Sequence, residues 1–97
     1  MNPPPKILDA GISSSQLEVR LDSGVTVIMP LENVPTLLLA TEQERQTMEI
    51  FDHSLHWEIL DCDLSVEGLL AGAKERPELA RRAFEKFFAR QYGLKAA

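Results

Sequence analysis

The side chains able to do chemistry crowd into one stretch of this 97-residue chain: Asp52, His53, His56, Glu58, Asp61, Cys62 and Asp63. Imidazole, carboxylate and thiol are the donors that bind transition ions, and a thiol beside an imidazole is the pairing a cysteine nucleophile needs. The spacing argues against both. With the segment around Trp57 extended, His56 shares a face with Glu58, while His53 lies in the preceding turn and Cys62 in the next corner. Asp61, Asp63 and Ser65 alternate like the start of a calcium loop. Val66, however, stands where that loop needs Gly for its sharp turn, and Gly72 where it needs a bidentate Glu. The sequence contains no nucleophile elbow, P-loop or Gly-rich dinucleotide turn. The expectation is therefore no enzymatic activity, no metal site and no cofactor, with a metal-dependent enzyme as the last alternative.

Charge is distributed unevenly. Residues 1–73 hold three basic and twelve acidic side chains, a balance of −9, whereas residues 74–97 hold seven basic and three acidic ones, a balance of +4. Between Gln46 and Ala73 stand six acids and no Lys or Arg, which reads as an acidic face. Such asymmetry bears on association partners rather than on fold. Within the basic tail, Leu79, Ala83, Phe84, Phe87, Phe88 and Tyr92 recur at helical spacing beside Arg81, Arg82, Lys86 and Arg90. Pro77 suits the first helical position and Gly93 the residue after the helix end. A stripe with three Phe and a Tyr requires cover from its own body or another chain, since each large apolar side chain gains about 1.5–3 kcal/mol on burial. Phe84, Phe87, Phe88, Arg81, Arg82 and Tyr92 are accordingly the expected partner-binding residues.

The elements that must position these residues begin at Ile7. After the Pro3-Pro4-Pro5 arm, Ile7–Ile12 reads as a strand, and Ser13-Ser14-Ser15 breaks it. Leu17, Val19 and Leu21 alternate with Glu18, Arg20 and Asp22, the period of a strand with one buried face. Gly24 supplies a turn, and Val25–Met29 returns as the hairpin partner. Val34–Ala40, with three consecutive Leu, reads as a buried helical turn. Thr41 and Glu44 have the spacing of a capping box, so a helix is expected from there with Met48, Phe51 and Leu55 as its apolar stripe. LHWEIL (residues 55–60) reads as a strand joining the hairpin sheet, with Asp61-Cys62-Asp63 ending it. Ser65 is the expected N-cap of a helix over Val66–Ala73, where Gly68 and Gly72 would form a close-approach groove.

Three stretches of the chain, LDSGVTVIMPL (21–31), PTLLLATEQER (35–45) and LHWEILDCDLSVEGLLAG (55–72), resemble, in that order, the domain of unknown function 2442 family, small and mostly bacterial proteins. The resemblance spans about half of the chain and implies a small α+β domain, with an antiparallel sheet of three to four strands and packed helices. It implies no known activity. Members resembling this chain occur alone or with a C-terminal helix-turn-helix, and their genes often neighbour that of another small protein, an arrangement that implies an antitoxin-like pairing. Two departures stand out: Glu58 follows Trp57 where the family usually has Pro, and His53-Ser54 replaces a Gly-rich turn. The tail lies beyond the resemblance.

The expected organisation is an α+β domain over 1–73 and an amphipathic basic helix within 74–97. The lone Cys62 allows no internal disulfide, and no apolar run resembles a signal or membrane segment, so a cytoplasmic protein is expected. The expected function is a non-enzymatic protein–protein interaction or regulatory module that self-associates as a homo-oligomer, or meets a small protein partner, through the C-terminal helix. DNA binding as a transcriptional regulator is the alternative, opposed by the acidic body and by Glu78 and Glu85 within the basic stripe.

Overall fold

The computed structural model describes residues 3–92, with Tyr92 described through its backbone alone. The architecture is α+β. Strands β1 (Ile7–Ile12), β2 (Gln16–Leu21) and β3 (Thr26–Pro30) form one antiparallel sheet in the order β1-β2-β3. Strands β4 (Glu49–Ile50), β5 (Ser54–Trp57) and β6 (Cys62–Ser65) form a second antiparallel sheet in the order β4-β5-β6. Helices α1 (Pro35–Leu38) and α2 (Glu42–Arg45) lie between the sheets in sequence, α3 (Val66–Ala71) follows β6, and α4 (Pro77–Tyr92) closes the described chain.

The alternation along β2 is fully realised: Leu17, Val19 and Leu21 are buried and the residues between them are exposed. Gly24, at φ 92°, makes the β2–β3 turn in a conformation that a Cβ disfavours. Ile7, Met29, Leu31, Val34, Leu37, Leu55, Trp57, Cys62, Val66 and Leu69 complete one contiguous core with the β2 residues. The two sheets are joined through backbone as well, for the Ile7 amide donates to the Asp52 carbonyl at 2.8 Å.

Three sequence expectations are corrected here. First, the helix begun by Thr41 stops at Arg45 instead of running on through Met48 and Phe51. Continuation would need the Glu44 and Arg45 carbonyls to accept from residues 48 and 49. Both are taken: Thr47 Oγ1 donates to the Glu44 carbonyl at 2.7 Å, and Trp57 Nε1 donates to the Arg45 carbonyl at 2.9 Å. The capping box is present as expected, with Glu44 N–H donating to Thr41 Oγ1 at 3.1 Å and Thr41 N–H to Glu44 Oε1 at 2.9 Å.

Second, LHWEIL is not one strand and does not extend the first sheet. Strand β5 ends at Trp57, Glu58–Leu60 form a 3₁₀ turn, and Asp61 adopts a left-handed conformation at φ 50°. This loop reverses the chain so that Cys62 pairs with Trp57, making the segment expected to end a strand into the start of β6. Ile59 therefore sits exposed on the loop rather than on a buried face.

Third, among the described residues no second backbone comes within 4 Å of where a Cβ on Gly68 or Gly72 would stand. Gly72 is the left-handed C-cap of α3 at φ 66°, and a Cβ on Gly68 would meet only Ser65 Oγ, at 3.2 Å. That Ser65 hydroxyl is the expected N-cap, accepting the Gly68 amide at 3.0 Å.

Candidate functional site

The C-terminal helix is tied to the body before it begins. Glu75 N–H donates to the Asn33 carbonyl at 2.8 Å, and Glu75 Oε1 accepts the Thr36 amide at 2.9 Å, in the first turn of α1 where backbone donors have no partner within the helix. From Pro77 the helix then packs along α1. Leu79 and Ala83 share a groove with Leu39, Ala40, Ile59 and Leu60, and charged contacts flank that apolar strip. Arg82 Nη2 lies 3.6 Å from Asp61 Oδ2, Lys86 Nζ 3.3 Å from Glu44 Oε2, and Arg90 Nη2 2.8 Å from both Glu44 oxygens.

Glu44 is the centre of this contact, with its side chain only 12% exposed. Burial by itself would raise its carboxyl pKa. The Thr41 amide, Arg90 and Lys86 together outweigh that effect and hold the group down at about 2 from an ordinary 4.5. A residue that caps α2 thus also anchors the last turns of α4.

The single apolar stripe expected for α4 divides into two faces. At about 100° per residue, Leu79 and Phe84 stand about 140° apart around the helix, whereas Phe84 and Phe88 are about 40° apart. With Leu79, Ala83, Lys86 and Arg90 turned to the body, Phe84 and Phe88 point outward and each is 49% exposed. Phe87 lies between the faces, half-buried, with its ring edge-on to Phe88 at a centroid distance of 6.0 Å. Arg81 and Glu85 flank the outward Phe pair, both exposed. Arg82 is turned instead toward Asp61. The Tyr92 side chain and Gly93 lie outside the described residues.

The polar cluster of the second sheet is also resolved into separate environments. His53 is half-buried with Nδ1 donating to the Pro5 carbonyl at 3.1 Å, which fixes the N-terminal arm. Cys62 is buried. Its thiol is pushed up to about 12, chiefly by that burial and further by the negative charges of Glu75, Asp63 and Asp61. It is thus a neutral core side chain at physiological pH, without the thiolate a nucleophile or ligand requires. His56 lies between the carboxylates of Asp63 and Glu58, with Nδ1 2.5 Å from Asp63 Oδ1 and Nε2 3.4 Å from Glu58 Oε2. The hydrogen bond to Asp63 is the main cause that raises the imidazole above its usual range, while partial burial opposes it.

Two participants carry no local signal in the sequence. Glu44 was legible as a cap but not as the anchor of a helix more than forty residues away, because that contact depends on tertiary docking. Glu49 falls within the helix expected from Thr41, a placement that does not bring it to His56. The β4–β5 register places it directly opposite His56.

Among the described residues, no helix is long and apolar enough to cross a membrane. A comparison with curated proteins gave no match. The chain is similar to the solved structure of a protein of unknown function from Rhodospirillum rubrum ATCC 11170, at 32% identity and a TM-score of 0.65, with 80% of this chain and 99% of that one covered. The family model described as "Protein of unknown function (DUF2442)" matches residues 9–75 and stops two residues before α4. Both sheets except the first two residues of β1, the short helices between them and the β5–β6 hairpin fall inside that match, and the chain belongs to the DUF2442 family.

Proposed function

We propose that this protein is a non-enzymatic interaction module in which the family body is a scaffold and α4 makes the contact with a second copy of the chain. The observation that carries this reading is the division of labour on α4. Its basic side chains Arg82, Lys86 and Arg90 face carboxylates of the same chain, while Phe84 stands outward and half-exposed. A sixteen-residue helix spans about 24 Å, long enough for two such helices to pack side by side. Arg81 and Glu85 beside the Phe pair have opposite signs, so an antiparallel copy meets charge of the opposite sign.

DNA binding has less support, because three of the four cations on α4, Arg82, Lys86 and Arg90, are engaged by Asp61 and Glu44 of an acidic body. A small protein partner encoded elsewhere remains the alternative occupant of the same face.

Light scattering after size exclusion tests the proposal. The wild type is expected to run as a dimer, and Phe84→Asp as a monomer with an unchanged far-ultraviolet circular dichroism spectrum. A wild type that stays monomeric at high concentration removes self-association.

A further inference from the structure

We infer that Glu49, His56 and Glu58 form a binding site for a first-row divalent transition ion on the outward face of the second sheet. The inference does not depend on α4 or on what α4 contacts.

The site follows from register. Residues directly opposite in an antiparallel pair carry their side chains on one face, about 5 Å apart. His56 lies opposite Glu49 on β4 and opposite Asp63 on β6, and Glu58, which opens the 3₁₀ turn after β5, brings Oε2 to 3.4 Å from His56 Nε2. The ligand atoms of Glu49, His56 and Glu58 lie within 4.8 Å of one another. Metal–ligand bonds of about 2.0–2.2 Å put donors on a shared ion up to about 4 Å apart, so small rotations of two exposed Glu side chains close the set.

His56 carries the second, independent feature. Metal-ligating imidazoles commonly donate their other ring N–H to a carboxylate, which fixes the tautomer and the ring plane. Here Nδ1 faces Asp63 Oδ1 at 2.5 Å, so the Nε2 lone pair is directed to the side where Glu58 lies. The Phe51 ring, 6.5 Å from the imidazole, packs beside it. The groups that face His56 are therefore Glu49 from β4, Asp63 from β6 and Glu58 from the following turn. All three are acids, and among the described residues no Lys or Arg forms an ion pair with any of them. One nitrogen and two carboxylate oxygens suit zinc, manganese, cobalt or nickel, and leave a coordination position for water or a donor from another molecule.

The test is calorimetric titration of zinc into the untagged full chain. One ion per chain is expected. Glu49→Gln with Glu58→Gln is expected to weaken binding at least about tenfold, and His56→Ala to abolish it. Absence of stoichiometric zinc binding overturns the inference, as does a His56→Ala protein that binds as tightly as the wild type. Should His56→Ala fail to fold, the double Gln variant decides alone. Both of its positions are exposed and Gln keeps the shape of Glu, so unchanged affinity there assigns the ion to another place and also overturns the site.

Discussion

Arg90 Nη2 lies 2.8 Å from each oxygen of Glu44, joining the last turns of α4 to the first turn of α2 across forty-six residues of sequence. The same carboxylate accepts the Thr41 amide, so one side chain both starts a four-residue helix and holds a sixteen-residue one. The anchor is sensitive to acid. A carboxyl lowered from 4.5 to about 2 contributes stability that is fully present above pH 4.5 and is lost as pH falls through about 2.

Glu44→Gln is expected to remove most of that acid-dependent stability, which is on the order of 3 kcal/mol at neutral pH for a shift of this size. Water around the half-exposed Lys86 reduces its share of that figure. Urea unfolding from pH 6 down to 2 should show the wild type losing stability steeply and the variant losing less. Hydrogen exchange should show α4 amides opening faster in Glu44→Gln at neutral pH. Equal exchange in the two proteins means the ion pairs do not hold the helix.

Trp57 is fully buried at 0% exposure and is the sole Trp of the chain. Its ring joins both sheets' side chains in one core, while its indole N–H takes the Arg45 carbonyl that ends α2. Trp57→Phe keeps a ring but leaves that carbonyl without its donor, so a loss of about 1–3 kcal/mol is expected. Trp57→Ala adds a cavity, and a loss of about 3–5 kcal/mol is expected. Native fluorescence should be blue-shifted and move to the red in one transition with denaturant. An emission maximum already typical of water in the native protein contradicts this burial.

The sequence carried the local rules and missed the long-range ones. Alternation at Leu17, Val19 and Leu21 identified β2 because burial on one face of a strand is written at period two. Thr41, Glu44, Ser65 and Pro77 marked helix starts correctly because capping acts over three or four residues. Where the helix after Thr41 ends was not legible, since Trp57, twelve positions away, takes the carbonyl that continuation requires. The second sheet was hidden for a related reason: β4 is two residues long and declares itself only by pairing with β5. For α4 the periodicity revealed a helix with apolar rings, but which rings meet the body depends on Glu44 and Asp61.

The two glycines of α3 should respond differently to the same change. Gly72 is left-handed, so Gly72→Ala is expected to destabilise by about 1 kcal/mol. Gly68 is helical, and a methyl there gains helix propensity of about 1 kcal/mol while pressing on the Ser65 hydroxyl at 3.2 Å. These effects oppose each other, so Gly68→Ala should change stability by less than about 0.5 kcal/mol. Melting curves of the two variants provide the check. A large loss in Gly68→Ala means another element packs against that glycine.

Cys62 offers a direct measure of how often the β5–β6 hairpin opens. It is paired in register with Trp57, buried, and held as a neutral thiol with its pKa near 12, chiefly by that burial. A disulfide reagent attacks only through the thiolate, so both exposure and ionisation limit the reaction. At pH 8 the native protein should be labelled at least about a hundredfold more slowly than the protein in urea, where the thiol returns to its ordinary range. Labelling should also accelerate in Trp57→Ala, because loss of the facing ring exposes the sulfur and loosens the pair. Native labelling as fast as in urea means that Cys62 does not reside in the core, and the pairing of β5 with β6 falls with it.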